Sequence, residues 1–351
     1  MVIAFKITFG LLVVITSCVS CSTVSYYHQS ISGHFSLISK REPIDDIVND
    51  STRDEKLIEQ LIVAKELRIF ASAELKLPDN KSYLSYVQLD KPYVTWNVFA
   101  APEFSITLQQ WCFPVAGCVQ YRGYFNEKDA KKYTGQLANK GLDIYVAGVP
   151  AYSTLGWFDD PLLSTMLDRG EIVTAAYIFH ELAHQQFYVK GDTAFNEAFA
   201  TAVEELGVRR WLLKQQRLSE LNKYEDWLKQ KSIFSNLIRD AREEFEQLYS
   251  QELTPEQMRQ EKEERIANFR EQFANLSKEN PQIARYSKWV SGPLNNAQLG
   301  AISLYRDLVP AFKTVYKLCE EDFELFYKRV KEIAKSNKDE RKSILTESSN
   351  C

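Results

Sequence analysis

The chain has 351 residues, a formal net charge of −4, 26% charged residues and 45% hydrophobic residues. This length and apolar content suffice for a large core and exclude an intrinsically disordered chain. The small acidic excess excludes nucleic-acid binding through bulk charge, so no nucleic-acid partner is expected.

The N-terminal segment has the pattern of an export signal. Lys6 is followed by an almost wholly apolar run, residues 7–15, which is too short for a lasting membrane span. Ile15-Thr-Ser-Cys18 fits a lipobox, and Cys21 is the alternative site of lipidation. We predict residues 1–21 to be a signal peptide with a lipobox, and a plain cleaved signal peptide stays open as the alternative.

This segment also predicts where the protein resides. A lipidated chain would be exported and held on the membrane by its acyl chains, facing the periplasm. The residue after the lipidated cysteine is Val19 or Ser22, and neither is Asp, which favours the outer membrane.

Residues 22–208 are predicted to form one region of helices and a small mixed sheet. Apolar residues at helical spacing predict helices between Tyr27 and Ala73. Alternating or β-branched runs predict short strands, and a polar stretch predicts a further helix. The strands are expected at residues 93–100, 104–108, 117–121 and 142–147, and the polar helix at residues 127–140.

Export would allow disulfide bonds between the remaining cysteines. Cys112 and Cys118 flank a Pro-Gly turn, and either a disulfide or two reduced thiols fits this spacing. Cys319 and Cys351 could also pair, but the sequence does not fix this.

The motif His180-Glu181-Leu182-Ala183-His184 carries most of the chemical information. Apolar residues at helical spacing surround it, and Gly170 and Gly191 bound the segment. On a helix, residues i and i+4 share one face, so both imidazoles can bind one metal ion. Glu181 is then placed to act as a general base. A buried helix whose two histidines pair with backbone groups or carboxylates is the structural alternative.

A catalytic zinc site needs a third protein ligand, and Glu197 is the best candidate. Asp192 or Thr193 can cap a second helix, and Gly191 can reverse the chain, which would bring Glu197 back towards His184. Its apolar neighbours indicate burial, although a solvated helix residue is the alternative. Glu204, on the same face, is a substitute ligand or a partner of a ligating histidine, whereas Glu205 is expected to be exposed.

These residues resemble a known family, the predicted zinc aminopeptidases of the bacterial envelope. Asn196-Glu197-Ala198-Phe199-Ala200 also resembles the segment that holds the third ligand in gluzincin aminopeptidases. The similar segments are residues 180–185, 191–201, 111–125, 148–161, 294–297 and 309–312, together with Tyr305. The resemblance implies an aminopeptidase with one Zn²⁺ per chain, bound by His180, His184 and Glu197, with Glu181 as base and Asn196 supporting a ligand. Only 12 residues separate His184 from Glu197, a shorter connection than in the better-known gluzincins.

Further residues are candidates for contact with a peptide substrate. Tyr305, Tyr152 and Asn296 are the candidate donors to the oxyanion of a tetrahedral intermediate. Residues 151–157, which include Gly156, are the candidate edge strand for binding extended substrate, and an ordinary loop is the alternative. Asp159 and Asp160 could bind a substrate α-ammonium or cap the chain before Pro161.

The C-terminal half is predicted to be helical. Residues 209–280 carry an apolar stripe and a capping-box start, Thr254-Pro-Glu-Gln257, and are expected to form an amphipathic helical hairpin. The hairpin could bind a partner or be a solvated pair flanking the cleft. Residues 281–336 are expected to return to the active-site lobe, and residues 337–351 to be a polar, frayed tail.

The sequence thus predicts an α+β, mostly helical fold: a zincin-like metallopeptidase with a small mixed sheet and a long helical hairpin. The predicted function is zinc-dependent peptide hydrolysis by an aminopeptidase. A zinc endopeptidase of envelope quality control and a non-catalytic, zinc-containing envelope lipoprotein scaffold are the alternatives. No protein partner can be named.

Overall fold

Helices dominate the computed structural model, which describes residues 21–113, 117–303, 308–347 and 350–351. The elements of the first part are α1 (Cys21–Ile38), β1 (Glu42–Pro43), α2 (Ile44–Val48), α3 (Glu55–Leu75), β2 (Ser85–Val87), β3 (Thr95–Pro102), β4 (Trp111–Phe113), β5 (Gly117–Val119), β6 (Arg122–Tyr124), α4 (Glu127–Ala138) and β7 (Leu142–Val149). The second part has β8 (Leu162–Leu163), α5 (Ser164–Leu167), α6 (Glu171–Gln186), α7 (Thr193–Lys214), α8 (Leu218–Tyr249), α9 (Pro255–Glu279), a 3₁₀ turn (Pro281–Tyr286), α10 (Ser287–Val290), α11 (Asn296–Ser303), α12 (Val309–Leu318), α13 (Phe323–Ile333) and α14 (Lys338–Glu347).

An antiparallel sheet in the order β6-β3-β7 forms one wall of the molecule. Because strand side chains alternate, β3 presents two different faces. Trp96 and Val98 pack with α4 on one face, whereas Thr95 and Asn97 line a cavity on the other. The sheet therefore separates a small satellite core from the cavity.

Two smaller sheets complete the β-structure of the described residues. β1, β2 and β8 form a mixed sheet, in which β2 pairs antiparallel with β1 and parallel with β8. β4 and β5 form a hairpin in which Cys112 lies opposite Cys118, and the two are joined by a disulfide.

The main core surrounds the antiparallel pair α6 and α7. Phe179 of α6 and Phe199 of α7 are fully buried in it, together with residues of α3, α12 and α13. Gly207 of α7 permits this close packing, because a Cβ atom there would lie 2.9 Å from the Phe179 ring. The two central helices are thus held on several sides by the large core.

The helices α8 and α9 form the predicted hairpin and have a core of their own. Phe234, Phe269 and Ile283 are buried in it. Thr254 begins α9 with both hydrogen bonds of a capping box, as the sequence predicts. The start at residue 209 is wrong, because α7 continues to Lys214 and α8 begins at Leu218.

Two predicted strands are absent. Residues 104–108 form no strand; Ile106 packs against the hairpin core and Leu108 against α11, which explains the apolar alternation without strand pairing. Residues 151–157 are also irregular, because Asp160 accepts hydrogen bonds from Ser153 and Thr154 and folds this segment into a loop. The edge-strand prediction for these residues is therefore wrong.

The C-terminal segment is not a frayed tail. Residues Lys338–Glu347 form α14, whose Leu345 lies in the main core. Arg341, also buried, forms an ion pair with Asp192 at the start of α7. Cys351 forms a disulfide with Cys319. This polar segment is therefore held in place by contacts with residues that are far away in the sequence, such as Asp192 and Cys319.

Among the described residues, no helix combines the length and the apolar character needed to cross a bilayer.

Candidate metal centre

The site is built on α6, α7 and the turn between them. Phe187 adopts an extended conformation and ends α6, and Gly191, with φ +81°, reverses the chain. Asp192 then caps α7 by accepting a hydrogen bond from the backbone N–H of Phe195. Asn196 closes the turn, since its side chain accepts from the N–H of Val189 (2.8 Å) and donates to the carbonyl of Val189 (2.7 Å).

This connection brings three potential ligand atoms together. Nε2 of His180 lies 3.2 Å from Nε2 of His184 and 3.4 Å from Oε2 of Glu197. The third distance, from His184 Nε2 to Glu197 Oε2, is 3.7 Å. The three atoms form a nearly equilateral triangle, and of the described residues these three could hold one metal ion.

The size of the triangle fits a tetrahedral metal ion. Zinc binds imidazole nitrogen and carboxylate oxygen at about 2.0–2.1 Å, and a tetrahedron with such bonds has edges of about 3.3–3.4 Å. The observed separations of 3.2, 3.4 and 3.7 Å bracket this value. Nitrogen and oxygen donors in this ratio also match the two-histidine, one-glutamate set of catalytic zinc sites.

Each histidine ring nitrogen has a distinct environment. Nδ1 of His180 lies 3.0 Å from Oε2 of Glu204, so this carboxylate fixes the ring orientation and leaves Nε2 facing the triangle. Nδ1 of His184 is buried and has no hydrogen-bond partner among the described residues. Glu204 therefore contacts one of the two histidines, on the side of the ring that faces away from the triangle.

Without a metal ion, a proton balances the charges of the triad. Burial opposes the charged imidazolium, but hydrogen bonds to Glu197 and Glu204 outweigh it and raise the pKa of His180 well above its usual value. Burial likewise opposes the charged carboxylate, but the two histidines lower the pKa of Glu197 to about 2. The site thus favours a positive charge at its centre, which a cation could supply in place of the proton.

Glu181 lines the cavity beside this triad, and no hydrogen bond ties its carboxylate to another described residue. Burial raises the pKa of Glu181, and the negative charge of Glu197 adds to this effect, while His180 and His184 oppose it. A carboxylate with a raised pKa is a stronger base, which suits proton transfer near neutral pH.

The cavity has a volume of about 500 Å³, and apolar and aromatic side chains form much of its wall. Tyrosines that line it are Tyr26, Tyr121, Tyr152, Tyr177 and Tyr188. Tyr177 was not predicted, although it lies three residues before His180 and so shares its helix face. The hydroxyl of Tyr152, a predicted donor, lies 3.4 Å from Nδ1 of His34.

Two of the predicted substrate-contact residues, Asn296 and Gly156, do not line the cavity. The buried side-chain amide of Asn296 accepts a hydrogen bond from the hydroxyl of Tyr249 and donates to the carbonyls of Pro102 and Glu103. Gly156 lies outside the lining, next to Gln185. Tyr305 and Cys18 fall outside the described residues, and Cys21 is the first residue of α1.

Glu205 and Asp160 also differ from their predicted environments. Glu205 is buried rather than exposed, because it forms ion pairs with Lys313 and Lys231. Asp160 neither lines the cavity nor caps a helix. Its carboxylate accepts hydrogen bonds from the 153–154 loop and from Gln185, so it organises the loop beside α6.

Gln185, next to the second histidine, was not predicted as a site residue. Its side chain donates to Ser82 and Asp160 and accepts from Asn80, which ties α6 to two loops. Its position directly after the motif is the signal that could have identified it.

Comparison with known proteins gave a match to one protein family. No curated protein and no solved structure is significantly similar to the chain. One family model matches, and its range includes α6, α7 and nearly the whole of the described structure. Because the model of the family described as "Putative aminopeptidase" matches residues 25–345, the chain belongs to that family.

Proposed function

We propose that the protein is a zinc-dependent aminopeptidase with one zinc ion per chain. The observation that carries this proposal is the triangle of His180 Nε2, His184 Nε2 and Glu197 Oε2, with separations of 3.2–3.7 Å. Membership of the family supports peptide hydrolysis. The carboxylate of Glu181, which has no hydrogen-bond partner in the part of the chain that the structure describes, lies beside the triangle. It favours a catalytic site over a structural one, because a structural site has no use for a base.

The residues of the chain then have definite roles in hydrolysis. A zinc ion held by the triad would supply a Lewis acid that polarises the scissile carbonyl and acidifies the attacking water. Glu181 accepts a proton from that water as its oxygen bonds to the carbonyl carbon. The same carboxyl group then protonates the leaving amine as the amide C–N bond breaks. Glu204 keeps His180 oriented throughout.

A tyrosine of the cavity is the proposed donor to the oxyanion. Tyr121, Tyr152, Tyr177 and Tyr188 all line the cavity, and burial raises the pKa of each phenol. Each phenol therefore stays protonated near neutral pH and can donate a hydrogen bond. The aromatic wall favours substrates with apolar side chains next to the scissile bond.

The test combines elemental analysis with peptide hydrolysis. Wild type and Glu181→Gln are purified, their metal content is measured, and each is assayed on peptides with free and with blocked N-termini. We expect one zinc per chain in both proteins. We expect cleavage at free N-termini by wild type and a loss of at least about a thousandfold in Glu181→Gln, because the base is removed while the ligands stay.

A zinc endopeptidase is the second candidate. Of the described residues that line the cavity, the only carboxylates are Glu181, Glu197 and Glu204, all of them at the triad. None is left over to bind a substrate α-ammonium, which an aminopeptidase must hold. Cleavage confined to blocked peptides would therefore identify the protein as an endopeptidase. Bound zinc without any cleavage would favour a non-catalytic scaffold. Absence of zinc would refute the proposal.

We also propose a zincin-like fold and an exported, lipid-anchored location. The zincin-like fold is supported by the antiparallel β6-β3-β7 sheet, which lies beside the ligand helices α6 and α7. The two disulfides support the second, because such bonds persist in oxidising compartments. Mass spectrometry of the N-terminal peptide from membrane-purified protein tests lipidation, and an unmodified Cys18 and Cys21 would refute it.

A further inference from the structure

An exposed apolar face lies along α1. Apolar residues of this helix recur at spacings of three and four, so they share one side. The ring of Phe158 lies 4.7 Å from the ring of His34 on α1, which joins a neighbouring loop to the helix. Six exposed residues form this surface, which we name the α1 face: Val24, Tyr27, Ile31, Phe35, Trp157 and Phe158. Trp157 is 70% exposed and Phe35 57%, so the face is a candidate for contact with another surface.

The opposite side of α1 is firmly packed. The side chain of Gln29 accepts a hydrogen bond from the N–H of Phe125, and the guanidinium of Arg122 lies 4.0 Å from the ring centre of Tyr26. Gly33 lies so close to Phe125 that a Cβ atom there would be 2.3 Å from its ring. The helix is therefore fixed on the body of the protein, and its apolar face is presented in one orientation.

The charge distribution restricts the kind of surface that this face can meet. α1, Cys21–Ile38, contains no Asp, Glu, Lys or Arg. Lys40 and Arg41 follow its C-terminal end, and both are exposed. An uncharged helix with exposed Tyr, Phe and Trp and a flanking basic pair has the composition of helices that lie at the lipid–water interface.

The position of α1 in the chain adds a second argument. Cys18 and Cys21, the two predicted sites of lipidation, immediately precede or begin the helix. An acyl chain at either cysteine would bring the first turn of α1 to the membrane surface. We propose that the α1 face seats on a lipid bilayer, with Trp157 and Phe158 at the level of the headgroups.

This arrangement places the cavity close to the membrane. Tyr26 and Ser30, on the packed side of α1, line the cavity that contains the metal-ligand triad. The cavity is thus separated from the α1 face by about one helix diameter, roughly 10 Å. A peptide segment near the membrane surface would therefore be only a short distance from the cavity.

The proposal is tested with the full chain, purified from bacterial membranes and reconstituted into phosphatidylethanolamine–phosphatidylglycerol vesicles. The vesicles contain either plain or brominated acyl chains, since bromine quenches tryptophan fluorescence at short range. The contribution of Trp157 is isolated by subtracting the signal of Trp157→Phe. We expect Trp157 to be quenched by brominated lipid, and Ile31→Gln/Phe35→Gln to reduce this quenching by about half or more.

A matched control uses two apolar residues that are exposed elsewhere. Ile69 lies on α3 and Leu325 on α13, and both are exposed in the same way. Ile69→Gln/Leu325→Gln should leave the quenching of Trp157 unchanged. Zinc content and hydrolysis of soluble peptides should be unchanged in both double variants, which shows that each is folded.

Three outcomes would overturn the proposal. Trp157 could remain unquenched in vesicle-bound protein, which would leave the lipid anchor as the sole attachment. The protein could fail to float with the vesicles. The Trp157 emission could shift to the blue with protein concentration in the absence of vesicles, which would identify the α1 face as a contact between two copies of the chain.

Discussion

Glu204 and Glu205 are adjacent acids on α7 that point to different parts of the molecule. Glu204 contacts Nδ1 of His180 at 3.0 Å, on the cavity side. Glu205 is buried on the other side and pairs with Lys313 of α12. One carboxylate thus belongs to the candidate metal centre, and its neighbour stabilises the packing of two helices.

This contrast predicts separable effects of two isosteric substitutions. Glu204→Gln should weaken zinc binding by about 10- to 100-fold with little change in stability, because His180 loses its orienting carboxylate. Glu205→Gln should destabilise the fold by about 1–3 kcal/mol, because the half-buried Lys313 loses a charged partner, and should leave zinc affinity unchanged. Competition with a chelator measures the first quantity and denaturant unfolding the second. Equal effects of both substitutions on zinc affinity would contradict the assignment.

Glu197 predicts a pH dependence of the metal-free protein. Its pKa is lowered from the usual 4.5 to about 2, so the folded state favours the ionised carboxylate. The resulting stabilisation is fully present above pH 4.5 and is lost as the pH falls towards 2. The chelator-treated wild type should therefore lose more stability over this interval than Glu197→Gln. Parallel unfolding curves for the two proteins would refute this source of stability.

At the scale of elements, the turn between α6 and α7 sets the separation of the ligands. Asn196 fixes this turn through two hydrogen bonds to the backbone of Val189. Asn196→Ala would leave the backbone N–H of Val189 unpaired, at about 1–3 kcal/mol, whereas the carbonyl of Val189 would keep its hydrogen bond from the N–H of Asp192. We expect lower stability together with weaker zinc binding. Thr201→Val, at a buried position farther along α7, is the control and should retain wild-type zinc affinity.

The helical hairpin should unfold separately from the ligand helices. Phe234 stacks on Tyr286 at 4.0 Å within the hairpin core, whereas Phe312 contacts Phe195 and Phe199 of α7. Phe234→Ala should cost about 3–5 kcal/mol and remove hydrogen-exchange protection from α8 and α9 before α6 and α7. Phe312→Ala should instead reduce protection of α7 and weaken zinc binding. Loss of protection in α6 and α7 first, after Phe234→Ala, would contradict two separate cores.

The elements that the sequence predicts well are those whose partners are near in the chain. The sequence predicts the two helices α6 and α7 and the turn between them, because the capping residues, the glycines and the apolar residues at helical spacing are all found between residues 170 and 214. The edge strand predicted at residues 151–157 is wrong because Gln185 and Ser82, which help to hold this segment in a loop through Asp160, are remote in sequence. The burial of Glu205 was missed for the same reason, since Lys313 is more than 100 residues away.

At the scale of the whole molecule, the Cys319–Cys351 disulfide holds the last helix against the core. It closes a loop with a sequence separation of 32, for which the entropic stabilisation is about 3–4 kcal/mol. Cys351→Ser should lower the free energy of unfolding by up to this amount. Cys112→Ser/Cys118→Ser, which opens a loop with a separation of only six, should have a smaller effect. Denaturant unfolding in the absence of reductant measures both, and the reverse order of effects would contradict the expectation.

The ion pair between Asp192 and Arg341 links the beginning of the second ligand helix to a residue made 149 positions later. A chain still emerging from the ribosome lacks this partner until almost all of it has been made. The start of the helix that carries Glu197 therefore acquires this contact only when synthesis is nearly complete. If His180, His184 and Glu197 hold a metal ion, as we propose, the metal supply at the place where the nearly complete chain folds would decide which ion they bind.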